Sequence, residues 1–295
     1  MNQPTHSAAT TIPTRLGPLH VHTIGAGPPA LLWHSLFVDS TTWTRVQQPL
    51  AATRRLLLVD GPAHGHNPPV PHRFSLEDCV GVALDVLDHL GIDEPVDWLG
   101  NAWGGHVGIL FAATHPDRCR SLAAIGAPVH ALSPADRRRT VLLRRLYRLA
   151  GPVPPLVNLL VDALLGPRAR AQDPEGAALV ADAFRRADRR GMHAAIGWLS
   201  LARSDLTPML DRLGTPTLLT TGTNDPMWTS GDARAAAAHL ANGALVILPG
   251  AGHIGPLLQA APAVVDLVTT FWRDPAATIA HHRSATTAGS RPPAF

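Results

Sequence analysis
The chain has 295 residues, 45% of them apolar and 16% charged, with a formal net charge of +3 and two cysteines. That is a globular composition with ample length for a sizeable core, either as one large α/β domain or as one domain with an insertion. No apolar run approaches the roughly 20 residues that cross a bilayer, and Met1 to Arg15 has no apolar segment behind a basic one, so the expectation is a cytoplasmic protein, neither secreted nor membrane-spanning.

Cys79 and Cys119 sit in or beside apolar periodic stretches, which favours buried thiols in a reducing compartment over a disulfide or a metal site. Every basic side chain counted in the net charge is arginine, and 14 of the 25 lie between Arg137 and Arg212. The plainer reading is solvated helix faces. The sharper one is a basic lid that meets an anionic carrier, a phosphate-bearing substrate or a membrane surface. Aromatic residues do not interleave with the arginines, so no nucleic-acid partner is expected.

Residues 1–18 are polar and rich in Thr and Pro and read as a partly ordered tail. Leu19 to Ile24 alternates as a half-buried strand, a Gly-Pro stretch breaks it, and Ala30 to Trp33 reads as a buried strand. His34 to Trp43 is a loop leading to a short helix through Leu50, and Arg54 to Val59 is a third strand ending at Asp60. Ser75 with Asp78 three residues on starts a helix, whose stripe of Leu76, Val80, Ala83, Leu84, Leu87 and Leu90 runs to Gly91. Val96 to Leu99 is a strand, a helix follows to about Thr114, and Ser121 to Ile125 is the next strand. Such alternation calls for a parallel sheet covered by helices on both faces. From Val129 the alternation stops for roughly 80 residues of helical, Arg-rich and Pro-interrupted sequence, read as an inserted helical lid. Strands return at Thr217 to Gly222 and Ala244 to Leu248, with helices over Asp232 to Leu240 and Ile254 to Trp272; residues after Pro275 read as a disordered tail.

The stretch Gly100-Asn101-Ala102-Trp103-Gly104 lies between a strand and a helix. Its glycines flank one central position, as steric crowding demands at a nucleophile elbow, the strained Gly-x-Ser-x-Gly turn that exposes an attacking hydroxyl. Here the centre is Ala102. Either a serine has been replaced, or the chain is a natural form that does without one; both readings are carried forward.

Loops at the carboxyl ends of parallel strands face a crevice and carry chemistry. Asp225 follows one such strand and His253 follows the last, giving the order nucleophile position, acid, histidine. Imidazole exchanges a proton near neutral pH, and a carboxylate on its other nitrogen fixes the tautomer. His253 is therefore the candidate general base and Asp225 its orienter. Acyl chemistry also needs backbone donors for an oxyanion: the amide of Trp103, after the elbow, and that of Leu36, in the loop after Trp33. His34 and Ser35 are candidates for the pocket, together with Leu146, Tyr147, Trp198 and Leu199 from the lid. Asp60, His64 and His66 make a weak metal signal and read as a structural loop.

From Leu19 to Trp272 the chain resembles the α/β-hydrolase superfamily. The resemblance rests on His34-Ser35-Leu36, Asp60-Gly61-Pro62-Ala63-His64-Gly65-His66, the elbow, the strand Ser121 to Ile125, Asp225 and Gly252-His253. His34-Ser35-Leu36 with Asp39 and Trp43 looks like the corresponding segment of enol-lactonase-type members. The resemblance implies an eight-stranded, mostly parallel sheet for residues 19–128 and 205–274, with a helical cap over 129–204. It also implies a Ser-Asp-His triad falling on Ala102, Asp225 and His253, and no metal or organic cofactor. A small-to-medium hydrophobic ester, lactone or thioester is the expected substrate, and a homodimer stays open as an assembly. Without a hydroxyl at 102 the acyl-enzyme route is closed. Three readings follow: an inactivated hydrolase, a natural nucleophile-free lyase, isomerase or cyclase using His253 and Asp225, or a ligand-binding protein that has lost the reaction.

Overall fold
The computed structural model describes residues 7–288. Eight strands form one sheet: β1 (Ser7–Thr14), β2 (Gly17–Ile24), β3 (Pro29–Trp33), β4 (Arg55–Val59), β5 (Val96–Asn101), β6 (Cys119–Ile125), β7 (Thr217–Gly222) and β8 (Gly243–Leu248). Their order is β1-β2-β4-β3-β5-β6-β7-β8; β1 with β2 and β2 with β4 are antiparallel, and every other neighbouring pair is parallel. After β3 the chain passes outward to β4 and then returns across β3 to β5. A crevice opens at the carboxyl ends where such a sheet reverses direction.

The helices of the sheet layer are α1 (Gln47–Ala51), α2 (Leu76–His89) and α3 (Trp103–Thr114). Between β6 and β7 lies a purely helical insertion: α4 (Pro134–Ala150), α5 (Pro154–Leu165), α6 (Ala169–Gln172), α7 (Pro174–Arg186), α8 (Arg189–Ala195) and a π-helical turn over Ile196–Leu201. Then come α9 (Thr207–Leu210), α10 (Ser230–Ala237), α11 (Gly255–Leu258), α12 (Ala261–Arg273) and α13 (Pro275–Ala288). The expected capping box is present, with Ser75 accepting from the Asp78 amide and Asp78 accepting from the Ser75 amide.

Strand alternation divides the apolar core into two. Leu31 and Trp33 of β3 join Trp98, α2 and α3 on one face, whereas Ala30 and Leu32 join Leu99, α1, α12 and the insertion's α5 and α7 on the other. Burial of both faces is what a parallel strand requires, and explains why β3 reads as a continuous apolar run. Asp97 of β5 is a buried exception. It takes hydrogen bonds from Arg54 Nε at 2.7 Å, Arg120 Nη2 at 2.7 Å and Ser121 Oγ at 2.6 Å. Cys79 and Cys119 are buried free thiols.

Three expectations are corrected. Residues 7–14, read as part of a loose tail, form the edge strand β1, because backbone pairing with β2 and burial of Ile12 supply what its polar side chains do not; Pro13 is tolerated at an edge. Residues 275–288, read as disordered, form α13, which buries Ile279 and donates from Arg283 Nε to Gly243 O at 2.7 Å. The closing helix is two helices, the second starting with a proline in its first turn. Residues 1–6 and 289–295 of the two expected tails lie outside the described residues.

Candidate functional site
The elbow is built as the glycine spacing requires. Ala102 sits at φ 48° and ψ −103°, one of three non-glycine residues with positive φ among the described residues. Its amide donates to Ile125 O at 2.8 Å, which anchors the turn on β6. A Cβ at Gly104 would lie 1.9 Å from Trp33 O, and one at Gly100 would lie 2.2 Å from Gly104 O. Both positions therefore exclude a side chain sterically. Strain of this kind costs about 1–3 kcal/mol and clusters at functional turns.

The dyad expected from the loops after β7 and β8 is assembled. Nδ1 of His253 lies 2.9 Å from Asp225 Oδ2 and 3.1 Å from Oδ1, with both residues buried. A carboxylate only accepts, so Nδ1 carries the proton and Nε2 is left as the basic nitrogen. Asp225 is itself oriented by the amides of Met227 at 2.8 Å and Trp228 at 3.1 Å, both donating to Oδ1. Burial opposes its ionised form, but the imidazole and these two amides outweigh it and hold its pKa below the usual carboxylate range.

Gly126 joins dyad and elbow. It follows Ile125, the acceptor of the Ala102 amide. A Cβ there would lie 2.6 Å from His253 O and 3.5 Å from both Asn101 Nδ2 and Asp225 Oδ2. The loops after β5, β6, β7 and β8 thus converge at the carboxyl end of the sheet. Gly126 carries no signal in the sequence beyond lying just after the strand that ends at Ile125. Asn101 was also missed: its Nδ2 donates to Ile125 O at 2.9 Å, while its buried Oδ1 has no partner.

The two candidate oxyanion donors lie on adjoining segments. Gly104 N donates to His34 O at 3.1 Å, stitching the elbow to the loop that bears Leu36. Trp103 is the first residue of α3, where an amide has no partner within the helix, and the Leu36 amide makes no hydrogen bond among the described residues. The α3 dipole adds partial positive charge at the same end.

His34 and Ser35, expected in the pocket, are spent on holding this loop. His34 is fully buried, donating from Nδ1 to Ser35 O at 2.7 Å and accepting at Nε2 from Gly61 N at 2.8 Å. Burial pushes its pKa down to about 4. Ser35 Oγ donates to Leu36 O at 3.2 Å. In the neighbouring loop Asp60 accepts from Ser40 N at 2.8 Å, and His64 donates from Nδ1 to Pro62 O at 2.8 Å. The polar groups of both loops are thus used mainly to fix backbone.

Tyr147 and Trp198 are not brought together. Tyr147 packs at 5.1 Å and a 37° tilt on Phe184, which meets Phe37 at 6.0 Å, so an aromatic line runs from the insertion to the residue after Leu36. Trp198 instead packs at 5.4 Å on Phe74, in the other apolar cluster. Phe37, with φ 75°, had no signal in the sequence.

Residues 28–260 match the family model for the α/β hydrolase fold. Among solved structures, a thermophilic esterase from Thermogutta terrifontis superposes with a TM-score of 0.80 at 23% identity, covering 92% of this chain and 99% of that one. The enol-lactonase from Burkholderia xenovorans LB400 gives 0.82 at 24%, covering 90% and 100%. In sequence, the pimeloyl-[acyl-carrier protein] methyl ester esterase of Nitrosomonas europaea is 26% identical over 247 residues, 80% of this chain and 92% of that protein. The match to 2-hydroxymuconate semialdehyde hydrolase from Pseudomonas sp. (strain CF600) is confined to 112 residues at 31% identity, 37% of this chain and 39% of that enzyme. With the elbow, the strand order and the four converging loops already in place, the chain belongs to the α/β-hydrolase fold family.

Proposed function
We propose that this chain is a hydrolase scaffold for a hydrophobic carboxylic ester, lactone or thioester, organised for a Ser-Asp-His triad with Ala102 at the serine position. The observation that carries the reading is the buried hydrogen bond between His253 Nδ1 and Asp225 at 2.9 Å, beside an elbow whose strained backbone is intact. Relatives named as a pimeloyl-[acyl-carrier protein] methyl ester esterase and a 2-hydroxymuconate semialdehyde hydrolase support a carbonyl substrate. In this reading the Leu36 and Trp103 amides polarise the carbonyl and His253 Nε2 is the base. Residues 129–204 form the cap, and Tyr147 and Trp198 contribute to its apolar lining. With a methyl group at 102 no acyl-enzyme forms, and by analogy with triad knockouts only about 10³ to 10⁴ over the reaction in water remains.

A second reading rests on the same dyad. Because Nδ1–H is committed to Asp225, Nε2 has no protein hydroxyl to serve at residue 102, and takes a proton directly from substrate or from a water. The chain is then a natural nucleophile-free lyase, isomerase or cyclase.

Ala102→Ser treated with a serine-directed phosphonate decides between them. Labelling of Ala102→Ser, absent from the alanine form and lost on adding His253→Ala, supports the hydrolase reading; a folded Ala102→Ser protein that stays unlabelled rejects it. Proton exchange or ring closure by the alanine form, abolished in His253→Ala, selects the second. Tight ligand binding indifferent to His253→Ala, without turnover, leaves a binding protein.

A further inference from the structure
Helix α4 has a face that the rest of the fold does not use. Among the described residues, five of the six exposed large apolar side chains fall within 142–159: Leu142, Leu146, Leu149, Val153 and Leu159, with Leu149 74% and Leu142 57% accessible. Leu142, Leu146 and Leu149 are spaced four and three apart within α4, so they share one helical stripe, and Val153 follows just beyond the Gly151 cap that ends the helix. Arg138 and Arg145 interleave with them at the same period. Neither makes an ion pair or hydrogen bond among the described residues, and with Arg137, Val141 and Leu142 they line an open groove of about 310 Å³.

The inward side of α4 is what holds it. Tyr147 is fully buried, Arg144 Nε donates to His193 O at 3.0 Å, and Arg137 Nη1 donates to Leu201 O at 2.7 Å. The leucine stripe is thus displayed by a helix already fixed from behind.

Charge says what the stripe meets. Residues 129–204 hold 13 arginines against six acidic side chains, while the remainder of the chain holds 12 against 16. The molecule is therefore polarised, positive on the insertion and negative elsewhere. A second copy docking by the same face would set Arg138 and Arg145 against their own equivalents, since a two-fold contact is self-complementary. A planar anionic surface suits both features. Leucines enter the acyl boundary while arginines, with their long stems, reach the phosphates.

We propose that the outward face of α4 docks on an anionic lipid bilayer, with Leu142, Leu146 and Leu149 inserted and Arg138 and Arg145 on headgroup phosphates. This proposal does not depend on the reaction catalysed. Its test is co-sedimentation of the full chain with vesicles of phosphatidylcholine alone or of equal parts phosphatidylcholine and phosphatidylglycerol.

The chain is expected to bind the anionic vesicles and not the neutral ones. Arg138→Glu with Arg145→Glu should weaken binding at least about tenfold, from the roughly fivefold that each arginine near such a surface contributes. Leu142→Ser with Leu149→Ser should do the same at unchanged far-UV circular dichroism. Both native thiols are buried, so an environment-sensitive dye on Leu149→Cys reports insertion, brightening only with anionic vesicles. No binding to anionic vesicles, equal binding to neutral ones, or binding indifferent to the leucine pair overturns the proposal. So does self-association by light scattering that the leucine pair abolishes without any vesicle binding, which makes the face a contact between copies.

Discussion

Arg186, in the last turn of α7, grips Asp39 in the loop after β3, with Nη2 at 2.7 Å and Nε at 3.0 Å from the same carboxylate oxygen. The pair spans the boundary between the helical insertion and the sheet layer, three residues from Leu36. Arg45 makes a second tie nearby, to Asp173 at 2.8 Å. The Leu36 loop is thus braced from the insertion as well as from the elbow, and the α7 half of the insertion is bolted down.

The first prediction tests that brace. Burial raises the pKa of Asp39, but Thr41 and Arg186 overcome it, and the net direction is downward. Arg186→Ala leaves a buried carboxylate with Thr41 alone and is expected to cost about 1–3 kcal/mol in urea unfolding at pH 7. A group with a depressed folded pKa stabilises fully above its unfolded value, near 3.9, and loses that contribution as pH falls through the folded value. The gap between wild type and Arg186→Ala should therefore be constant from pH 7 to 5 and shrink below about pH 4. A gap unchanged at pH 3 would sink the ion-pair account.

Buried histidines give the second prediction, with the titration running the other way. His34 is pushed down to about 4 by burial, and His64 to about 3 by burial and by the neighbouring His34 ring. Both fold as neutral bases, so the unfolded chain binds more protons once pH falls below about 6.5. Their stabilisation is complete above that pH and is lost on descending toward the folded values. Each should cost about 2 kcal/mol between pH 6.5 and pH 5. His64→Phe removes one titrating ring, whose buried Nε2 has no partner anyway. Its unfolding free energy should fall less steeply with acid than that of wild type, and an identical slope would refute the assignment.

The third prediction concerns close approach. Gly104→Ala would place a methyl 1.9 Å from the Trp33 carbonyl, backbone against backbone, and should abolish soluble folded protein or cost more than about 3 kcal/mol. At Gly214 an added Cβ meets nothing within 4 Å. Gly214→Ala should stay within about 0.5 kcal/mol of wild type. Thermal unfolding of the two variants side by side is sufficient, and a well-folded Gly104→Ala would contradict the observed elbow packing.

Periodicity made the sheet layer readable. β3, β5 and β7 are short apolar runs ending at polar or glycine residues, and Ser75 with Asp78 announces its own helix. The dyad was legible for a related reason: Asp225 and His253 each follow a strand in a glycine-containing turn, and fold order does the rest. What escaped depends on contacts remote in sequence. β1 is threonine-rich and becomes a strand only because β2 offers it a ladder. The helix over residues 275–288 carries little apolar patterning, and Ile279 is among its few buried side chains. Gly126 acquires its role from residues on three other loops. His34 shows the converse, since a histidine in a loop at a sheet's carboxyl end carries the signature of a pocket residue and no sign of the backbone bonds it makes. Only the Gly61 amide on its Nε2 shows that both nitrogens are engaged.

The last prediction separates lining from core at Tyr147. Its side chain is fully buried against the tilted ring of Phe184, and its hydroxyl has no hydrogen-bond partner among the described residues. Burial pushes the phenol up to about 12, so it stays a neutral hydroxyl through the working range. An unpaired buried O–H is destabilising by about 1–3 kcal/mol relative to an apolar group of the same shape. Tyr147→Phe should therefore stabilise the protein by about 1 kcal/mol in urea unfolding with an unchanged m-value. Tyr147→Ala should lose about 3–5 kcal/mol, because the aromatic line through Phe184 to Phe37 is left with a void. If Tyr147→Phe instead weakens binding of an ester or lactone ligand several-fold without raising stability, the pocket uses the hydroxyl as well as the apolar ring.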